Sequence, residues 1–241
     1  MSGKMEPMSH PYDLDHLLEA GQRLVRSVDG LRGEDWTAPS LLPGWSRAHV
    51  VAHLALNGEA LRDVLRGAVD GRPVPMYESN ERRDTDIEEL AQADDAEIRE
   101  RLLASTTTFA DAAQAVPGAA WEGRFDRTAD GPSLPLGAAP TMRVREIEIH
   151  HVDLATGYSP DDWPAGWSAG VIDGMVKRLD PDVGFMVRPL DVERTWEVGT
   201  RVEDPVVVTG PVAQLAWWLT GRSPGEQVSS SRGVLPQVGG W

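Results

Sequence analysis

The chain has 241 residues, enough for one large domain or two modest ones with cores of their own. Lys+Arg number 23 against 38 for Asp+Glu, and the resulting charge of −15 argues against sequence-independent phosphate binding and against anionic membrane surfaces. Cysteine is absent, which excludes disulfide frameworks, zinc ribbons, CxxC redox chemistry and a cysteine nucleophile together, so any thiol used here comes from outside.

The opening stretch MSGKMEPMSHPYDLDHL has neither the basic flank nor the apolar core of a secretory signal. No segment approaches the roughly 18 apolar residues of a membrane span, so a cytoplasmic address is expected. Residues 13–29 read as a first helix, with Asp13 as N-cap, Leu14, Leu17, Leu18, Leu24, Val25 and Val28 at helical spacing, and Gly30 past the end. After Pro43-Gly44, Ser46 is placed to cap a second helix running to about Arg66. Its apolar stripe is Val50, Leu54, Leu61, Val64 and Leu65, and it carries His49 and His53. Residues 68–92 read as a long Pro-, Gly- and charge-rich connection of the kind that lines a site. A third helix fits 94–116, on Ile98, Leu102, Phe109, Ala113 and Val116, and 118–140 reads as another loop.

The segment 141–156, TMRVREIEIHHVDLAT, alternates like a strand at Ile147 and Ile149. Yet it runs from Pro140 to Gly157 without an internal Gly or Pro, and it is read as a fourth helix. Residues 1–157 are then expected to form a four-helix bundle with its site between facing helices. From Tyr158 the texture changes to a Pro/Asp/Gly-rich linker, a helical stretch near 167–179, strand-like FMVRPL, RTWEV and PVVVTG, and a helix in PVAQLAWWLTGR. Residues 158–241 are expected to form a small α/β domain, giving an α plus α/β fold overall.

On a helix, Glu146 and His150 stand at i,i+4 and project from one face, the spacing two ligands need to reach one metal ion. His53 can supply a third ligand from a facing helix, which leaves an open coordination position. The pattern alone is weak, because a lone histidine on a partly apolar helix more often packs or sits on the surface. His49 could replace His53, and Glu148 with His151 forms a competing pair that spacing does not separate from the first. Arg222, after the helix ending LAWWLTG, is either solvated or a bidentate clamp for a carboxylate. Arg82 and Arg83 admit the same two readings, and Met76 and Tyr77 read as loop anchors. Asp153 either holds a ligand histidine or bonds locally at the helix end.

The segments GWSRAHVVAHLALNGEAL, VPMYESNERR, RVREIEIHHVDL, LTGR and SSSRGVLPQVGGW together resemble the mycothiol-dependent maleylpyruvate isomerases of actinobacteria, over nearly the whole chain. The resemblance implies a DinB-like four-helix bundle followed by a small α/β domain. It places a divalent metal, zinc, on His53, Glu146 and His150, the family's important carboxy-terminal arginine on Arg222, and a loop arginine on Arg83. The Pro/Gly-rich loop 128–140 and the acidic stretch 94–97 depart from the family pattern and bear on substrate detail. The implied reaction is cis–trans isomerisation of maleylpyruvate to fumarylpyruvate in gentisate degradation, with mycothiol as thiol cofactor. A thiolate activated at the metal would add to the alkene, the resulting single bond would rotate, and thiolate expulsion would leave the trans product. Arg222 would hold a substrate carboxylate. The implied partners are maleylpyruvate and mycothiol, with no nucleic acid and no membrane, and the chain is expected to be a monomer. Two other readings share the site: a mycothiol S-transferase acting on electrophilic xenobiotics, and a metal-binding module without turnover.

Overall fold

The computed structural model describes residues 14–179 and 184–239. Contacts divide the chain into two compact units, with the division after Gly157.

In the first unit, helix α1 (Leu14–Asp29) buries Leu17, Ala20, Leu24 and Val28 on one face. Its expected cap, Asp13, lies outside the described residues. Helix α2 (Arg47–Val69) starts at Ser46, whose hydroxyl accepts from the His49 amide at 3.4 Å. It is the central element, packing against α3 (Asn80–Ala91), α4 (Asp95–Ala115) and α5 (Ala139–Asp153), and it is buried along most of its length. Helix α1 covers α5 and α4 from the other side. Pro140 stands in the first turn of α5, where its missing N–H costs nothing.

Two segments read as loops contain structure. Helix α3 occupies much of 68–92, capped by the Ser79 hydroxyl accepting from the Arg82 amide at 3.0 Å, so the described residues of this unit form five α-helices, one more than the four expected. Within 118–140, strands β1 (Arg124–Asp126) and β2 (Ser133–Pro135) form an antiparallel hairpin with Phe125 opposite Leu134. The hairpin also reaches the α2–α3 connection. The Met76 amide donates to the Asp126 carbonyl at 2.8 Å, and the Tyr77 amide to the Arg127 carbonyl at 3.0 Å.

The C-terminal end of α5 is satisfied from the start of α2. Arg47 Nε donates to the Leu154 carbonyl at 2.8 Å and Arg47 Nη2 to the Ala155 carbonyl at 3.0 Å. The Leu41 amide donates to the Asp153 carbonyl at 2.8 Å. These bonds fix the register of the two helices that carry the candidate ligands.

The second unit holds α6 (Ala165–Val176), β3 (Phe185–Pro189), β4 (Trp196–Val198), β5 (Val206–Gly210), α7 (Val212–Leu219) and β6 (Ser229–Ser230). The sheet runs in the order β4-β3-β5-β6, with β3 parallel to β5 and both outer pairings antiparallel. Alternate residues Phe185 and Val187, with Trp196, Val198 and Val208, turn into the core, and α6 packs against the wholly buried α7.

Candidate metal centre

His53 lies near the middle of α2, and Glu146 and His150 lie one turn apart on α5. The two helices bring these side chains together. His53 Nε2 is 2.8 Å from Glu146 Oε2, and His150 Nε2 is 3.2 Å from the same oxygen. One donor atom from each of the three lies within 4.8 Å of the others. The imidazole rings meet edge to face at 4.8 Å between centroids, and Trp45 closes over His53 at 5.7 Å. Both histidines are buried and Glu146 is half-buried.

The electrostatics of the group follow from burial and hydrogen bonding. Burial lowers His53 to a pKa of about 4 despite its hydrogen bond to Glu146, so it is neutral at pH 7. Burial alone would raise Glu146, but hydrogen bonds with His150 and His53 outweigh it and hold the carboxyl well below its ordinary value. For His150 burial works downward, yet the bonds to Asp153 and Glu146 win and raise it. The set fits a divalent ion: one carboxylate that stays ionised, and two imidazoles aimed at one point. Asp153 supports that fit. Its buried Oδ2 accepts from His150 Nδ1 at 2.8 Å, which turns Nε2 towards Glu146, so Asp153 is both a local helix-end partner and the group that orients this ring.

The alternatives left open by spacing go elsewhere. His49 lies between Ser46 Oγ, 2.7 Å from Nδ1, and Glu88 Oε2, 3.0 Å from Nε2. Glu148 is fully buried against α1, with His16 Nε2 at 2.9 Å and Arg23 Nη2 at 2.8 Å. His151 Nε2 lies 2.7 Å from Ser27 Oγ, also on α1. These groups tie α5 to α1.

Arg82 pairs with Asp86 along α3. Arg83 bonds Asp84 at 2.9 Å and stands 5.7 Å over the Tyr77 ring, close enough for its charge to act on His53 as well. Arg222 follows Gly221, whose φ of 75° ends the α7 segment, and its guanidinium lies 5.9 Å over the Trp217 ring in the second unit. On the two helices that carry the candidate ligands, two buried polar residues escaped the sequence reading: Asn57 on α2 and Arg143 on α5. Their signal was positional, since Asn57 stands four residues after His53 and Arg143 three before Glu146.

A family model described as the mycothiol maleylpyruvate isomerase N-terminal domain matches residues 17–155. A crystal structure of the mycothiol-dependent maleylpyruvate isomerase is similar with a TM-score of 0.85 and 26% identity, covering 96% of this chain and 98% of that one. A structure of a histidine-to-alanine mutant of that isomerase gives 0.84 and 25% over the same shares. No curated protein matches the chain.

Proposed function

Since the chain belongs to the mycothiol maleylpyruvate isomerase N-terminal domain family, we propose that it isomerises maleylpyruvate to fumarylpyruvate with mycothiol, and with zinc at His53, Glu146 and His150. The observation that carries this reading is the convergence of those three donor atoms within a chain similar to the isomerase over 96% of its length. Gentisate degradation as the pathway, and a cytoplasmic monomer as the working form, belong to the same proposal.

Held by His53, Glu146 and His150, a divalent ion would supply positive charge that lowers the pKa of a nearby thiol, and reversible addition of that thiol would leave the substrate's former double bond free to rotate. The chain's residues supply what surrounds that chemistry. His53 offers a neutral nitrogen and Glu146 an ionised oxygen at pH 7. Asp153 keeps the His150 ring turned. Arg83, beside Tyr77, and Arg222 are the proposed partners for the carboxylates of the substrate. In a molecule of charge −15, such local cations have to attract a dianion that the whole surface repels.

The test is a direct assay of maleylpyruvate with mycothiol, alongside metal analysis of the purified protein. Wild type should carry about one divalent ion per chain, and His53→Ala should lose both ion and activity. Full activity in metal-free His53→Ala would overturn the site. Conjugation of a model electrophile without isomerisation would reassign the chain as a mycothiol S-transferase, and bound metal with no thiol reaction at all would make it a binding module.

A further inference from the structure

A second polar layer lies one helical turn along from the three candidate ligands. Asn57 shares the α2 face of His53 at i,i+4, and Arg143 shares the α5 face of Glu146 at i,i−3. Both are buried, Arg143 completely. Arg143 Nη1 donates to the Leu54 carbonyl at 2.7 Å and to Asn57 Oδ1 at 3.0 Å. A guanidinium has donors only, so this contact settles which end of the Asn57 amide is oxygen. The amide nitrogen, Nδ2, is thereby turned to the Tyr77 hydroxyl, 3.5 Å away. A phenol oxygen that accepts from Asn57 keeps its own O–H for another partner.

Tyr77 is held for that purpose by its backbone. The hairpin takes the Met76 and Tyr77 amides, and Tyr77 pairs with Thr128. The guanidinium groups of Arg83 and Arg127 each stand 5.7 Å from the centre of its ring. Burial and the charge of Glu146 raise the phenol's pKa above its ordinary value, so it carries its proton at neutral pH. A mere anchor would need the ring and the backbone bonds. It would not need an amide oriented by a buried guanidinium whose Nε and Nη2 find no hydrogen-bond partner among the described residues.

We propose that Tyr77 is a catalytic hydrogen-bond donor to the substrate oxygen that gains negative charge as the double bond loses its conjugation, and that Asn57 and Arg143 are the positioning residues that aim it. This rests on the isomerase reading. The proton stays on Tyr77 throughout, so the group is unchanged at the end of the turnover. Such a donor favours the charged species over the substrate, and it acts on kcat more than on KM.

Tyr77→Phe and Asn57→Asp test it together. A carboxylate at position 57 would pair with Arg143 and accept a hydrogen bond from the Tyr77 O–H, so the fold is kept while the donor is turned away from the substrate. Each variant should keep wild-type metal content and thermal midpoint, lose about 10²-fold in kcat, and change KM by less than about threefold. The double variant should lose no more than either single one, because both changes remove one donor. As a readout apart from turnover, calorimetric binding of the enolate of the saturated dioxo diacid, which carries negative charge on the oxygen the donor faces, should weaken severalfold in Tyr77→Phe. Wild-type kcat in either variant, or additive losses in the double variant, would overturn the proposal. So would unchanged binding of that enolate, or loss of metal from Tyr77→Phe. A wild type that fails to isomerise maleylpyruvate would overturn the isomerase reading itself and this inference with it.

Discussion

Within the cluster of His53, Glu146 and His150, only one of the three groups keeps a proton as the pH approaches neutrality, and that difference can be measured. His53 is neutral because burial lowers it to about 4, and Glu146 is ionised because both histidines bond it. His150, raised above the ordinary imidazole value by Asp153 and Glu146 against the effect of burial, is the group that keeps its proton to higher pH than a free histidine. An incoming ion therefore has one proton to displace, and it comes from His150. We expect the logarithm of metal affinity to rise with pH at a slope of about one and then to level off above the His150 pKa. Calorimetry in buffers of different ionisation enthalpy should count that proton; its absence near pH 6.5 would contradict the assignment. Helical spacing placed Glu146 and His150 on one face, but it gave no means of preferring them to Glu148 and His151. The choice is made by α1, whose Arg23 and Ser27 engage the second pair, and no local pattern in α5 carries that information. Asn57 and Arg143 were passed over because a polar residue inside a helix reads as part of a solvated face, whereas here both face the interior.

At the scale of elements, the approach of α2 to α5 depends on Gly58. A Cβ there would lie 2.8 Å from Arg143 Nη2 and 3.0 Å from both Arg143 Cζ and Ser105 Oγ. Arg143 is buried and bonded to Leu54 and Asn57, so it has little freedom to retreat. Gly58→Ala gains up to about 1 kcal/mol of helix propensity but forces a strained core contact of about 1–3 kcal/mol. The expected result is a lower urea midpoint with an unchanged slope; a midpoint at or above wild type would show that the guanidinium moves at no cost. Helices α1, α2 and α4 were legible because each carries an apolar stripe and a start or stop signal, and α5 because it runs from Pro140 to Gly157 without an internal Gly or Pro although Ile147 and Ile149 alternate as in a strand. Helix α3 was not, since only Ile87 and Leu90 of its twelve residues are buried and the Pro/Gly-rich stretch before it suggested one continuous loop. Ser79 was the signal available. Strands β1 and β2 have three residues each and lie within a Pro/Gly-rich stretch that read as loop, whereas β3, β4 and β5 did show, in FMVRPL, RTWEV and PVVVTG.

Across the whole molecule, the candidate ligands belong to one compact unit and Arg222 to the other. If Arg222 binds a substrate carboxylate, its loss should leave metal content untouched while turnover falls about 10²-fold. Metal analysis and a steady-state assay on the full-length Arg222→Ala chain separate this from a structural role, in which the thermal midpoint or the metal would be lost as well. Cysteine's absence, which first excluded thiol chemistry by the chain itself, is consistent with a sulfur supplied by a small molecule. The hairpin's hold on the segment between α2 and α3 adds a temporal dimension. Amides at Met76 and Tyr77 that are spent on Asp126 and Arg127 can exchange with solvent only when those bonds open, so this loop shares the lifetime of β1 and β2. A brief opening of the hairpin would thus take Tyr77 away from Asn57 while leaving His53, Glu146 and His150 assembled, so that the phenol comes and goes beside a standing set of ligands.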